Sequence, residues 1–323
     1  MEVCGLSEEV GALLGITVRL IHYTEDAPKL IAITSKTSLS RKPLQQLLEV
    51  SSEEVEVWIK ETFKRQHFSP WEHTSYTFMV DGLSRVASHQ LVRHRHASYT
   101  QMSHRYTEGY LRSLALEASR LAEYNCPERP SGNKREVYEC YSNAIMIANA
   151  LTRDADSLAK LAIIAFVPPP TFYNNKELLA SWAGSVLATA SDYYMLLSRG
   201  ALREDARYVL ADSVRTRIVV TMNARELVQV FLPLRMCTKA QWEIRHIAWE
   251  MWRELVKVHP LLFKWAGPSC VLRENTTRTE PVELQKFLNG EEKFTIPRCP
   301  ELVENKAILP CLRVAAQSWG VTI

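Results

Sequence analysis

The stretch SRVASHQLVRHRHASYTQMSHRY, residues 84–106, is the most informative part of this chain. It contains four arginines and four histidines but no Asp, Glu, Lys, Gly or Pro, so its cationic side chains have no acidic partner within the stretch. Arginine forks hold phosphate or carboxylate in bidentate fashion, and hydroxyl groups nearby add uncharged donors. The composition therefore predicts a site that recognises an anion, namely a phosphorylated small molecule.

A solvated basic helix is the alternative interpretation of the first half of this stretch. From residue 84 to residue 93 the spacing places Val86 and Leu91 on a core face and Arg85 on the solvent face. After residue 94 polar donors occur at almost every position and the helical period is lost. Because loops so dense in donors usually serve a ligand, we expect a helix that is followed by a binding loop.

The flanking sequence predicts strands mixed with long helices. Alternating or β-branched residues predict strands at 16–23, 74–80 and 214–222. Helical patterns cover 51–67, 134–152 and 176–198, the first with Ser51 and Glu54 spaced as a capping box and the last ending before Gly200. Two more helices are expected to begin at Asn223 and Thr238, each with a capping partner three residues on, Glu226 and Gln241. Strands grouped around long helices, without regular βαβ alternation, favour an α+β domain.

Composition indicates a globular chain whose basic character is local. The 323 residues are 46% hydrophobic, which is enough to bury a substantial core, and the net charge is only +3. A nucleic-acid-binding protein would usually spread positive charge over a whole face. The N-terminus has no secretory pattern, and the longest apolar stretch, 161–167, is too short to span a bilayer. We therefore expect a cytoplasmic protein that binds neither nucleic acid nor membrane.

The seven cysteines contain no CxxC pair, and in a cytosolic chain they are expected to be reduced thiols with packing roles. Cys299 and Cys311 each adjoin a proline and could pair. Cys237 precedes a predicted helix start that would lower the pKa of its thiol, but no proposed step needs a nucleophile, so we interpret it as structural.

Glycine-rich phosphate loops are missing from the sequence. Neither GxGxxG nor GxxxxGK occurs, so there is no Rossmann fingerprint and no P-loop. Any bound dinucleotide must have its diphosphate held mainly by side chains.

The segment Arg93-His94-Arg95, followed after seven residues by Ser103, resembles the signature of flavin-dependent thymidylate synthases. Further segments resemble blocks of that family in the same order: QHFSPWEH at 66–73, QLV at 90–92, NAREL at 223–227, LR at 234–235 and AQWEIR at 240–245. Ordered blocks spread over this length are far more specific than one short pattern.

The resemblance implies the family's fold and assembly. The fold is an α+β structure with a central, mostly antiparallel sheet flanked by long helices. The family assembles as a homotetramer in which each flavin site is shared between subunits. Residues 1–266 would form the catalytic domain, and residues 267–323 a C-terminal extension whose role the sequence does not reveal.

The resemblance also implies which residues bind FAD, with no metal required. They are His67, Ser69, Arg93, His94, Arg95, Asn223, Arg225 and Gln229. Between Leu227 and Phe231 the spacing is one residue longer than the common family pattern, which a bulge or a shifted helix register would absorb.

The substrate implied is dUMP, and the residues that match its binding positions are Gln90, Arg93, Gln101, Ser103, His104, Arg105, Arg207 and Arg235. Ser103 and Arg105 are expected at the phosphate. Arg235 matches the arginine that meets the pyrimidine ring, where its charge would stabilise negative charge developing on the ring. Without the resemblance, Arg207 and Arg235 would be interpreted as helix-surface ion pairs.

The reaction implied is reductive methylation of dUMP to dTMP. NADPH reduces FAD, methylenetetrahydrofolate supplies the carbon, and the flavin supplies the hydride. Two rival classes remain on the sequence alone. A metal-dependent hydrolase would use the histidines between His67 and His104, although only Glu72 and Asp81 lie near as carboxylates. A single-strand nucleic-acid module would use the Arg and Tyr interleaving.

Overall fold

A computed structural model of the protein describes residues 15–38, 40–130 and 132–317, and it contains a four-stranded sheet covered by helices. The strand order is β1-β2-β4-β3, and every neighbouring pair is antiparallel. The strands are β1 (Thr17–Tyr23), β2 (Tyr76–Ser84), β3 (Ala97–Gln101) and β4 (Arg215–Met222). The predicted α+β class with an antiparallel sheet is confirmed, and so are the three predicted strands.

Helices account for most of the remaining chain. They are α1 (Ala27–Thr37), α2 (Leu44–Leu48), α3 (Ser52–Lys64), α4 (Arg85–Leu91), α5 (Gly109–Leu121), α6 (Lys134–Leu151), α7 (Ala155–Ala162), α8 (Lys176–Ser198), α9 (Arg203–Ala206), α10 (Leu232–Arg235), α11 (Trp242–Val258), α12 (Pro260–Phe263), α13 (Ser269–Thr277), α14 (Leu284–Asn289) and α15 (Asn305–Ala316). Short 3-10 turns lie at Ser69–His73, Pro170–Asn174 and Arg207–Val209, and a π-helical turn lies at Glu226–Phe231.

Several helices begin at a residue whose side chain caps the first free N–H groups. The Ser51 side chain accepts from the backbone N–H of Glu54 at 3.2 Å, and the Glu54 carboxylate accepts from the N–H of Ser51 at 3.2 Å, which confirms the capping box. The helix start expected at Thr238 is wrong, because α11 begins after Gln241. The Gln241 side chain itself accepts from the N–H groups of Glu243 and Ile244 at the start of α11. Burial raises the pKa of the Cys237 thiol, contrary to the expected lowering.

Two hydrophobic cores support the sheet and the helical half. One lies between helices α5 to α8 and includes Tyr141 and Tyr194. The other joins the sheet and α11 to residues beyond 266, since Phe78 and Val220 belong to the same cluster as Leu284. The boundary at residue 266 stays a prediction, and the described part of the extension shares the core of the sheet.

A disulfide joins Cys126 to Cys140, so the expectation that all cysteines are reduced thiols is wrong for this pair. Cys140 lies in α6, and the Cα atoms of the two residues are 5.7 Å apart, a separation that a disulfide spans. Cys299 and Cys311 are not bonded to each other and remain free thiols. In the described part of the chain no helix is both long and apolar enough to cross a membrane.

Candidate active site

The signature segment forms a tight turn between α4 and the edge strand β3. Ser84 begins α4 by accepting from the N–H of Ala87 at 3.0 Å. The hydroxyl of Tyr99 donates to the carbonyls of Leu91 and His94, each at 2.8 Å, and so ties β3 back to the helix end. This turn fixes the backbone of the Arg-His-Arg segment.

Two expectations about this region are wrong. Val86 was placed on the core face of the helix, but it is 41% exposed, because the face of α4 that turns inward carries Ala87, Ser88 and Leu91. Residues 97–101 were expected to form a loop and instead form β3, which pairs with β4. The pairing uses backbone hydrogen bonds, so the polar side chains of these residues do not prevent it. Tyr and Thr are good strand formers, and an edge strand tolerates the polar residues between them.

His94 lies at the centre of a buried polar network, only 5% exposed. Its Nδ1 atom lies 3.1 Å from a carboxylate oxygen of Glu226, itself 4% exposed. Arg235 donates from Nε to His94 Nε2 at 2.9 Å and from Nη2 to the carbonyl of Gln90 at 3.3 Å. The structure therefore brings together three predicted site residues, Gln90, His94 and Arg235, and adds Glu226, which the sequence indicated only as a capping partner.

The π-helical turn at Glu226–Phe231 occupies the segment whose spacing exceeds the family pattern. A π-helical turn accommodates one extra residue within a helix, so its position fits the second of the two expectations, a shifted helix register. The predicted helix start at Asn223 is confirmed, because its side chain accepts from the N–H of Glu226 at 2.7 Å. On the outer face of this turn, Gln229 accepts from Arg225 Nε at 2.8 Å.

Arg93 and Arg95 are exposed on either side of buried His94, and within the described chain neither forms an ion pair with a carboxylate. Arg225 differs, since it pairs with Glu72 in the turn Ser69–His73. Ser69 begins that turn and His67 precedes it; both are exposed, and in the described residues no hydrogen bond joins either to the other predicted site residues. The available cations suit a diphosphate that no glycine-rich loop cradles.

A second group lies beyond the other end of β3, among Ser103, Arg105 and Arg207. The Ser103 hydroxyl accepts from the N–H of Arg105 at 3.3 Å. Both arginines meet Glu204: Arg105 through the carboxylate at 3.8 Å, and Arg207 through the backbone carbonyl at 3.1 Å. Gln101, at the end of β3, donates to the hydroxyl of Thr216 at 3.3 Å. Among the described residues neither Arg207 nor Arg235 pairs with a carboxylate, so the helix-surface ion-pair interpretation does not hold for them.

His104 is buried beneath the second group, and within the described chain its Nε2 atom has no hydrogen-bond partner. Burial and the nearby charge of Arg85 lower the pKa of His104 to about 4, so its imidazole is neutral at pH 7. Burial and then the like charge of Arg207 lower the pKa of Arg85 as well. Because the charge of Arg207 affects the pKa of Arg85, and the charges of both arginines lower the pKa of His104, Arg85 lies near this group. The sequence had placed Arg85 toward solvent, and only its position in the acid-free stretch pointed to the site.

Known proteins resemble this chain over most of its length. Residues 19–261 match the family model described as "Thymidylate synthase complementing protein". The chain is 61% identical over 308 residues to a flavin-dependent thymidylate synthase of Aeropyrum pernix, covering 94% of each chain. It is 40% identical over 300 residues to the one of Sulfurisphaera tokodaii, covering 92% of this chain and 96% of the relative.

A solved structure shares the fold. It is a flavin-dependent thymidylate synthase from Helicobacter pylori, complexed with FAD and dUMP, and it superimposes with a TM-score of 0.53 at 24% identity. The match covers 77% of this chain and 99% of that chain. Together, the family model over most of the chain and the relatives that match almost its whole length establish that this chain belongs to the flavin-dependent thymidylate synthase family.

Proposed function

We propose that this protein converts dUMP to dTMP, with FAD as bound cofactor, NADPH as electron source and methylenetetrahydrofolate as carbon donor. The observation that carries the proposal is the turn at His94. There a buried histidine touches Arg235, while Arg93 and Arg95 on either side present charges that have no carboxylate partner among the described residues. Family membership supplies the reaction, and this turn supplies the charges that its ligands need.

The residues that would hold FAD fit its chemistry. Arg93 and Arg95 would bind the diphosphate. The rest of the cofactor would contact the other predicted residues, which are His94, Asn223, Arg225, Gln229, His67 and Ser69. Arg225 joins two segments of the chain because it contacts both Gln229 and Glu72. When bound, FAD supplies the hydride that completes the methyl group.

The second group would hold the dUMP phosphate. Arg105, Arg207 and Arg85 offer fixed charges, and Ser103 offers a hydroxyl donor. A phosphate dianion between Arg85 and Arg207 would offset the repulsion that, after burial, lowers the pKa of Arg85. Gln90, Gln101 and His104 would complete the nucleotide site.

Arg235 would act on the uracil ring. Burial lowers the pKa of its guanidinium, but from an ordinary value so high that the group stays charged at neutral pH. A fixed charge in a half-buried position stabilises negative charge on the ring more than a solvated one would, since less water screens it. Binding that holds the ring beside the carbon donor and excludes water would contribute the rest.

Exposed side chains near the predicted FAD site and near the predicted phosphate site support a site that other subunits of a homotetramer complete. Tyr106 and Tyr208, beside the predicted phosphate residues, are 74% and 83% exposed. Arg93 and Arg95 are exposed as well. Large aromatic residues left this open are typical of surfaces that meet a partner or ligand. The substrates are those of cytoplasmic nucleotide synthesis, and we place the enzyme there.

Flavin spectroscopy tests the proposal. The purified protein, reconstituted with FAD, is expected to show bound-flavin absorption that changes on addition of dUMP and bleaches anaerobically with NADPH. A protein that binds no FAD, or whose bound flavin neither responds to dUMP nor accepts electrons, would refute it. Arg120→Ala, an exposed change on α5, is a suitable control for nonspecific loss.

A further inference from the structure

We infer that Glu226 is a positioning residue that acts through His94 to orient the guanidinium of Arg235. The inference rests on the proposed function, in which Arg235 meets the pyrimidine ring of dUMP. The three side chains form one chain of contacts, from the Glu226 carboxylate to His94 at 3.1 Å and from His94 to Arg235 at 2.9 Å.

Hydrogen-bond chemistry fixes the state of His94 in this chain. A guanidinium Nε–H can only donate, so His94 Nε2 must be the acceptor and carries no proton. The imidazole proton therefore lies on Nδ1 and is donated to Glu226. If Nε2 carried a proton as well, its N–H would face the Nε–H of Arg235, and two donors cannot form a hydrogen bond. Glu226 thus selects the one neutral tautomer that can accept from Arg235.

Burial makes this arrangement rigid. His94 and Glu226 are both almost fully buried, and the ring of Phe231 packs edge-on against the His94 ring at 5.0 Å between centroids. Tyr99 holds the His94 carbonyl at 2.8 Å. Because the imidazole has no room to rotate, the position of Nε2 is set by the surrounding fold.

The π-helical turn places Glu226 and Arg235 on the same side of His94. The two residues are nine positions apart. In a regular helix nine residues are about two and a half turns, which would put them on opposite faces. The wider turn at Glu226–Phe231 accommodates an extra residue and rotates the following helix, so both side chains reach the imidazole. A π-helical turn at a functional site is a recurrent feature of proteins.

Arg235 is therefore held along the edge of its guanidinium that carries Nε and Nη2. Of its five N–H groups, Arg235 uses Nε for His94 and one on Nη2 for the carbonyl of Gln90. The remaining N–H groups make no other hydrogen bond within the described residues, so they are available to a ligand. Since misplacing a catalytic group by about 1 Å can cost roughly a hundredfold in rate, the support behind Arg235 matters for catalysis.

A double-mutant cycle tests the inference. Glu226→Gln removes the charge and offers an amide that can donate to Nδ1, so it no longer selects the tautomer. We expect the dUMP dissociation constant and kcat/KM for dUMP to worsen by about ten- to a hundredfold. FAD content and the rate of flavin reduction by NADPH should stay within about twofold. In an Arg235→Ala background the same change should have no further effect on the dUMP dissociation constant, because Glu226 acts through Arg235.

The control is Glu274→Gln, which alters another fully buried carboxylate, on α13 of the C-terminal extension. It should leave kcat/KM per folded molecule unchanged. If Glu226→Gln does not fold, Glu226→Asp, which withdraws the oxygen by one methylene, enters the same cycle with the same criterion. Additive effects of the two changes, an equal loss of FAD, or unchanged dUMP parameters would overturn the inference. Failure of the proposed function would instead appear in the unmodified protein, as absence of dUMP binding or of dTMP.

Discussion

Arg105→Ala should weaken dUMP binding while leaving FAD binding and the fold intact. Its effect on stability is expected to be small, because the only acidic partner of Arg105 in the described chain is Glu204 at 3.8 Å. Both side chains are about half exposed, at 49% and 50%. An ion pair of this kind contributes about 0 to 1 kcal/mol. The cation-π contact of Arg105 with exposed Tyr106 adds little more.

The effect on the nucleotide should be larger. A charge-assisted hydrogen bond to phosphate contributes about 1.5 to 3 kcal/mol. At about 1.4 kcal/mol per tenfold, dUMP should bind roughly 10- to 150-fold more weakly. The dissociation constant for dUMP is measured from the change in flavin absorption, and the one for FAD by reconstitution of the apoprotein.

Arg120→Ala is the matched control, because it removes an exposed arginine that also pairs with a glutamate, Glu117 at 2.7 Å, away from the site. It should leave both dissociation constants unchanged. An equal loss of dUMP and FAD in Arg105→Ala would show that Arg105 serves the other anion, and unchanged dUMP binding would refute the assignment.

Three further changes test other parts of the structure. Arg235→Lys keeps the charge but loses the Nε–H that contacts His94. The rate of dTMP formation should fall by about a hundredfold, while NADPH still reduces the flavin. A Lys variant that forms dTMP at the normal rate would refute the assignment. Deleting the residues after Ala266 removes Leu284 and Phe287 from the core, and the burial of each side chain stabilises the fold by about 1.5 to 3 kcal/mol. The thermal melting temperature should therefore drop sharply. An unchanged melting temperature would contradict the shared core. Burial lowers the pKa of His246 from 6.5 to about 3, so the unfolded chain takes up a proton that the folded chain does not. Its contribution to stability is present above pH 6.5 and is lost as the pH falls, by about 2 kcal/mol at pH 5. Urea unfolding of His246→Gln should show a flatter pH dependence than the unmodified protein, and parallel curves would refute this.

Local chemistry explains what could be predicted from the sequence. The capping box at Ser51 and the cap at Asn223 depend on residues three positions apart, and both form as expected. The extra residue after Leu227 was recognisable by spacing and is accommodated by a π-helical turn. These features need no knowledge of distant parts of the chain.

Tertiary contacts explain what could not be predicted. Strand β3 exists because β4 supplies its hydrogen bonds, although the polar residues after His96 suggested a loop. The roles of Glu226 and Arg85 depend on contacts with His94 and Arg207, over a hundred positions away in each case. The Cys126–Cys140 disulfide depends on Cys126 meeting α6 in the folded chain. Such pairings are decided by the assembled fold, which sequence spacing does not encode.

Formation of dTMP is the most direct test of the central claim. The flavin-loaded protein is incubated with dUMP, NADPH and methylenetetrahydrofolate, and the nucleotides are separated and identified by mass, with each of the three omitted in turn. The account predicts dTMP in the complete mixture only, and its loss in Arg235→Ala protein that still carries FAD. No dTMP in the complete mixture from folded, flavin-loaded protein would contradict the account, and so would full activity of the Arg235→Ala variant.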